Sequence, residues 1–451
     1  MKKSIFAFFM LILIVGAWFV SGFWVFETAN SNEAITTQEP DAQPEPTPEP
    51  AREPEDEPDV SPEEEYEPEE PPEEDIINKR NAVLEESRLL FRGYFYEEAI
   101  ELLNEDESLI NHETQALEEE IVQAKNSLVR FEGEIKHIFF HSLILYPEKL
   151  FPDLSVPTGG YNEGFIYQSE LFRILPQLLE RGYVLYSIND IFSQNANGNM
   201  QKNDIYLPPG KRPLVLSIDD LTYHYNRTTP SRLGFANRIV FDEYGEIATE
   251  VPTPEGTIET TYDGDVHVVV DQFVRENPEF SFRGNKGVLA VTGYMGIFGY
   301  DLDDLRNPDY RQRVIDLCDK FKENGWLFAN HSYTHNRTGF WGPESNPANI
   351  NNDVRRWRDT IEPLVGETNI FIAPFGYLLR GEGMQIILDN GYNIYCTVDI
   401  NQPINIYNTH VVMGRIEIGG YGLGKWVNTL NRDFFDVASV IDPYRPPILS
   451  N

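Results

Sequence analysis

From Ile135 to Ile418 the chain alternates short apolar runs with stretches of helical period, and this alternation constrains the fold more than any other feature. The apolar runs are His137–Leu143, Tyr183–Ser187, Leu214–Ile218, Gly287–Thr292, Trp326–Asn330, Asn369–Ala373, Tyr392–Val398 and Val411–Ile418. Helical patterns fall between several of them, notably Glu170–Arg181, Val266–Glu276, Tyr310–Asn324 and Met384–Asn390. Strands separated by helices form a mainly parallel sheet, because each crossover returns the chain to the same end. The number of runs predicts an α/β fold whose sheet closes, or nearly closes, into a barrel. One stretch breaks the rhythm. Arg238 to Val251 followed by Thr257 to Tyr262 reads as a β-hairpin insertion, at about 226–263.

Parallel α/β barrels gather their chemistry where strands end. Asp219 and Asp220 end the run Leu214–Ile218, and His331 and His335 follow Trp326–Asn330. Two imidazoles four residues apart can face one metal ion, and a single carboxylate completes a three-ligand open site. The adjacent carboxylate is then free to act as a base toward water. An isolated Asp-Asp pair more often caps a helix or is solvated, and two isolated histidines are often structural. Their joint occurrence at two strand ends favours a metal hydrolase.

These residues resemble the motifs of the NodB-like polysaccharide deacetylases, carbohydrate esterase family four. The first family motif, Thr-Phe-Asp-Asp, corresponds to Ser217-Ile218-Asp219-Asp220, and the second, His-Ser/Thr-x-x-His, to His331-Ser332-Tyr333-Thr334-His335. The third ends in Pro-Tyr-Gly, here Pro374-Phe375-Gly376. The resemblance covers residues 135 to 418 and implies a distorted (β/α) barrel of about seven strands. It implies Asp219 as general base, Asp220, His331 and His335 as ligands of a divalent metal, zinc first among the candidates, and the Phe375 peptide N–H as an oxyanion donor.

The sequence also departs from the family. An arginine usually stands two residues before the proline of the third motif and orients the base; here that residue is Ile372, with Arg380 and Arg415 as candidate replacements. Asp399 matches the fourth motif without its tryptophan, and the late strand Val411–Ile418 lacks the histidine expected as general acid. At the other end of the domain, Ile138-Phe139-Phe140-His141-Ser142 has the form of that fifth motif. Poly-N-acetylglucosamine deacetylases resemble this order, with the acid-bearing strand first. In a closed barrel first and last strands are neighbours, so His141 is the candidate acid; a structural histidine and a further metal ligand are the other readings. His224 and His410 are weaker claimants, and His112, His137 and His267 read as structural or surface residues. Tyr294, Phe298, Tyr300, Phe340, Trp341 and Tyr421 are either sugar-stacking surfaces or core. Gly419 to Gly424 reads as a flexible loop.

Upstream, residues 1–26 combine Lys2 and Lys3 with an uncharged run from Ile5 to Phe26, long enough for a transmembrane anchor with the body outside the cytoplasm. A cleaved signal peptide, and so a secreted protein, is the rival. Residues 27–75 are Pro/Glu-rich: Glu33 to Asp75 holds 19 acidic residues and one basic residue, Arg52. Such a segment is expected to be a disordered, extended linker. Residues 76–132 read as a helical hairpin whose Gly93-Tyr94-Phe95-Tyr96-Glu97-Glu98-Ala99-Ile100 resembles one tetratricopeptide half-repeat. It is expected to pack on the catalytic domain, 133–451, or act as a stalk, with recruitment of a protein partner as the other reading. The net charge of -37 argues against nucleic acid. Cys318 and Cys396 read as buried small apolar side chains.

The composite expectation is a membrane-anchored, metal-dependent hydrolase removing N-acetyl groups from amino-sugar polysaccharide of the cell envelope. One alternative keeps the fold and metal but removes O-acetyl groups, a reaction that depends less on a strong acid. The other is a non-catalytic glycan-binding protein on a degenerate deacetylase fold.

Overall fold

The computed structural model describes residues 73–151, 153–155, 160–223 and 234–447. The expected anchor or signal segment, most of the linker and His224 lie outside them; among the described residues no helix is long and apolar enough to cross a membrane. The chain divides into two units, Met1–Lys79 and Arg80–Asn451. Of the first, the structure describes only the opening turns of helix α1 (Glu73–Arg92).

After α1 come α2 (Tyr96–Leu103) and α3 (His112–Asn126). The expected hairpin is therefore three helices, because Tyr94 takes a left-handed φ of 67° that ends α1 before α2 begins. The C-terminal end of α1 and the start of α2 pack on the barrel domain. Arg92 Nη2 lies 2.7 Å from Glu279 Oε2, Tyr94 donates its hydroxyl to the Glu279 carbonyl, and Arg283 pairs with Glu98.

The principal strands are β1 (Lys136–Phe140), β2 (Tyr183–Leu185), β3 (Arg212–Asp219), β4 (Arg238–Phe241), β5 (Ile247–Pro252), β6 (Ile258–Thr261), β7 (Gly287–Val291), β8 (Trp326–Asn330), β9 (Ile370–Ile372), β10 (Ile394–Val398) and β11 (Val411–Glu417). Seven of them close a parallel ring in the order β7-β8-β9-β10-β11-β1-β3, sealed by β3 against β7. The first and last strands of the ring are neighbours, as expected, with Ile416 beside Ile138. Tyr183–Ser187 is the exception among the expected barrel strands. β2 pairs with the lower part of β3, Tyr183 beside Arg212, on the edge that β7 takes higher up, Ala290 beside Asp219. It therefore lies outside the ring, and this split distorts the barrel.

Alternation assigns the two faces of each strand. Val215, Ala290, Ala329, Ile372, Cys396 and Met413 fill the barrel, while Leu216, Leu289, Phe328 and Ile416 pack outward against helices. α4 (Gln168–Glu180), α5 (Val266–Glu276), α6 (Pro308–Glu323) and α7 (Pro347–Thr360) form that outer layer. α6 shows how the local sequence sets an element. Asn307 caps the Asp309 N–H, Pro308 occupies the first turn, and Val314, Leu317, Cys318 and Phe321 recur on the buried face. Gly325 then turns the chain into β8 at φ 92°, where a Cβ would come within 1.9 Å of the Gly284 carbonyl oxygen. Cys318 belongs to the outer layer and Cys396 to the barrel interior, and both are free and buried.

Two local expectations are corrected. The insertion is a three-stranded antiparallel sheet, β4-β5-β6, rather than a hairpin, because Ile258–Thr261 folds back onto β5. Gly419 to Gly424 is largely a short helix, Gly420–Lys425. Its glycines serve close packing: a Cβ on Gly420 would sit 1.8 Å from the Asn162 carbonyl oxygen.

Candidate active site

β3 delivers two consecutive carboxylates to one cavity. In a regular strand they would face opposite sides. Asp220 instead takes φ 59°, a left-handed conformation that aspartate tolerates better than most residues. As a result His331 Nε2 lies 3.9 Å from Asp219 Oδ2 and 3.8 Å from Asp220 Oδ1.

His331 directly follows β8. Its Nδ1 is 2.7 Å from the Ile372 carbonyl oxygen, so Nδ1–H donates there and the Nε2 lone pair faces Asp220. Burial pushes the imidazole pKa down, although Asp219 pulls the other way. The neutral ring is the form a metal requires. Between the histidines the chain makes a tight loop, with Ser332 at φ 67° and His335 at φ 47°. Asp353 of α7 holds that loop, accepting from the Tyr333 and Thr334 N–H groups and the Thr334 hydroxyl. His335 Nε2 then stands 3.8 Å from Asp220 Oδ1. One ligand atom from each of Asp220, His331 and His335 falls within 4.8 Å of the others. Two imidazole nitrogens and a carboxylate oxygen suit zinc and its divalent neighbours, with coordination positions left open.

Asp219 is buried and carries the second half of the site. Arg415 of β11, itself fully buried, grips it with both ends of its fork, at 2.8 and 3.0 Å. Burial alone would raise the Asp219 pKa, but Arg415, then His331, hold it below the ordinary carboxylate range. Of the two candidate replacements for the arginine absent at Ile372, Arg415 therefore contacts Asp219, whereas Arg380 is exposed.

His141 follows β1 on the same rim, close enough for its charge to act on Asp219. Its Nδ1 is buried, 3.6 Å from Glu417 Oε1 at the end of β11. That spacing is an ion-pair distance, longer than a hydrogen bond. Burial raises the Glu417 pKa, and His141 offsets part of the rise. Phe165 packs on the His141 ring at 5.4 Å.

Phe375 closes the rim. It holds φ 57°, rare for a bulky residue, and its N–H makes no hydrogen bond to a described residue. Its ring lies 4.6 Å from that of His335 and is 51% exposed. Gly376 follows at φ 64°, pressed against Val398.

The structure thus brings together all six residues singled out for chemistry. Other candidates fall elsewhere. His410 stacks on Tyr407 before β11 begins, at the opposite end of the barrel, and His267 is buried against Phe321. Asp399 accepts from the Asn401 N–H within its own loop. Phe298, Tyr300 and Trp341 are core, while Tyr294 and Tyr421 are each 38% exposed. Sequence reasoning missed Glu417 and Asp353 altogether.

No family model and no curated protein matches the chain. Solved structures do. The Streptococcus pyogenes deacetylase PplD, in complex with acetate, matches at 12% identity and a TM-score of 0.38, over 70% of this chain and 100% of that one. IcaB from Ammonifex degensii matches at 12% identity and a TM-score of 0.36, over 64% and 93%. A de-N-acetylase from Aggregatibacter actinomycetemcomitans matches at 14% identity and a TM-score of 0.38, over 63% and 95%. At such identities and scores, the functional reading rests on the site itself.

Proposed function

We propose that this protein is a metal-dependent hydrolase that removes N-acetyl groups from an amino-sugar polysaccharide. One observation carries the reading. A base held by arginine, a three-ligand metal set and a histidine paired with glutamate converge at one end of the barrel.

Asp220, His331 and His335 would hold a divalent ion, zinc by preference. When bound, that ion supplies Lewis acidity, polarising the acetamide carbonyl and easing deprotonation of water. Asp219, kept ionised by Arg415, takes the proton of the attacking water at its carboxylate. The Phe375 N–H, without a partner among the described residues, donates to the oxygen on which negative charge develops. His141 delivers a proton to the departing amine, and Glu417 steadies the imidazolium that donates it. Amine expulsion needs this proton more than alcohol expulsion does, so the His141–Glu417 pair favours amide over ester substrates. A pure glycan-binding role would not need a buried arginine clamped on Asp219.

We further propose that the substrate belongs to the cell envelope and is reached from outside the cytoplasmic membrane, supported by the apolar run Ile5–Phe26 behind Lys2 and Lys3. The test is acetate release from N-acetylglucosamine oligomers by the zinc-loaded full-length chain, beside Asp220→Ala. Release by the parent and loss in the variant are expected. Equal rates for the two proteins, or release from O-acetylated polymer alone, would overturn the reading.

A further inference from the structure

Beneath the catalytic rim, the barrel interior holds a polar chain that the reaction does not use directly. His137 of β1 is fully buried, and its Nε2 lies 3.0 Å from Ser217 Oγ on β3. Ser217 Oγ lies 2.9 Å from Arg415 Nη1, which also binds Asp219. Proton accounting orients this chain. A guanidinium only donates, so Ser217 Oγ accepts from Arg415. The single Ser217 proton then needs an acceptor, and His137 Nε2 is the one within reach among the described residues. Burial, reinforced by the neighbouring Arg415, keeps His137 neutral, which leaves that nitrogen able to accept. The ring proton must then sit on Nδ1, a buried atom with no hydrogen-bond partner among the described residues. The backbone is held as well, because the Gln402 side-chain oxygen accepts the His137 N–H.

An unpaired polar nitrogen in a barrel interior opposes folding, and an apolar residue of similar size would avoid that cost. Fold stability therefore does not account for a histidine here. We propose that His137 is a positioning residue: by accepting the Ser217 hydroxyl proton it fixes the oxygen that holds Arg415 on Asp219. The chain couples β1 to the base on β3 through an arginine on β11. The inference rests on Asp219 being the base, and it concerns residues outside the metal set.

The test uses zinc-loaded full-length protein and two independent readouts. In kinetics on N-acetylglucosamine oligomers, His137→Leu is expected to lower kcat about tenfold with KM, zinc content and Tm little changed, the scale typical of supporting residues. His137→Gln, which restores an acceptor, should recover kcat to within about threefold of wild type. Ser217→Ala should show the His137→Leu loss, and the double variant should lose no more than either single one, because all break the same chain. In spectra of histidine labelled with nitrogen-15, His137 should appear as the Nδ1–H tautomer, and the signature should change in Ser217→Ala. The spectra are read whether or not the protein releases acetate, so an inert wild type would sink the deacetylase reading without deciding the relay. A His137 protonated on Nε2 overturns the inference. So do losses in His137→Leu and Ser217→Ala that multiply, or a folded Ser217→Ala with wild-type kcat, which decides the matter even if His137→Leu fails to fold.

Discussion

Replacing Arg415 with methionine removes the guanidinium from a carboxylate that has no other cation in bidentate contact among the described residues. Both partners are buried, Arg415 fully and Asp219 almost so. Breaking a buried pair from one side typically costs about 3–5 kcal/mol, because the remaining charge is left desolvated. The sign with pH follows from the direction of the shift. In the wild type the Asp219 pKa is depressed, so the group contributes stability above its unfolded value of about 3.9 and loses it as pH falls through the lower folded value. Without Arg415, burial dominates and raises the folded pKa. The penalty then grows as pH rises and shrinks on acidification. Urea unfolding of wild type and Arg415→Met between pH 5 and pH 8 (an assay range of about three units) should therefore show a gap that widens toward the alkaline end. Adding Asp219→Asn should recover much of the stability without recovering activity. In acetate release, the acid limb of kcat/KM for Arg415→Met should move to higher pH, because the base is now protonated over more of the range. A pH-independent gap under about 1 kcal/mol, with an unmoved acid limb, would show that Arg415 does not hold Asp219 ionised.

Three other perturbations address separate parts of the site. Glu417→Gln should lower kcat for N-acetyl substrates about 10–100-fold while touching O-acetyl ester hydrolysis much less, as parallel assays on both substrate types would show. Asp353→Ala leaves the Tyr333 and Thr334 N–H groups without their acceptor and should weaken zinc affinity about 10–100-fold, read by competition with a chelating dye. Gly376→Ala places a Cβ 2.5 Å from that of Val398 at a positive φ, and should lower both Tm and kcat by displacing the Phe375 peptide.

Much of this site was legible because its motifs fall where strands end. Asp219, Asp220, His331 and His335 needed only the recognition that two apolar runs were parallel strands opening at the same pole. His141 needed the resemblance to a permuted motif order, which the adjacency of first and last strands in a closed ring made spatially consistent. Arg415 and Glu417 were readable in principle. Once Met413 faces the interior, a period of two turns Arg415 and Glu417 inward as well, and a buried arginine in a strand requires a partner. Asp353 gave no such signal, since a carboxylate on a helix usually faces water, and only the folded loop shows it accepting three hydrogen bonds. The place of β2 was also hidden: Tyr183–Leu185 has the same apolar character as a ring strand, and its exclusion depends on β7 taking the upper edge of β3. The break after α1 turned on a single left-handed tyrosine at position 94.

Ring closure between β1 and β11 has a consequence for the order in which the protein becomes competent. The proposed metal ligands all precede residue 336, whereas the guanidinium that grips Asp219 and the glutamate beside His141 come from β11. A chain that has not yet added its last strand would carry the residues that capture an ion while lacking the means to break an amide. On the proposed function, catalytic power would then arrive only with the final strand.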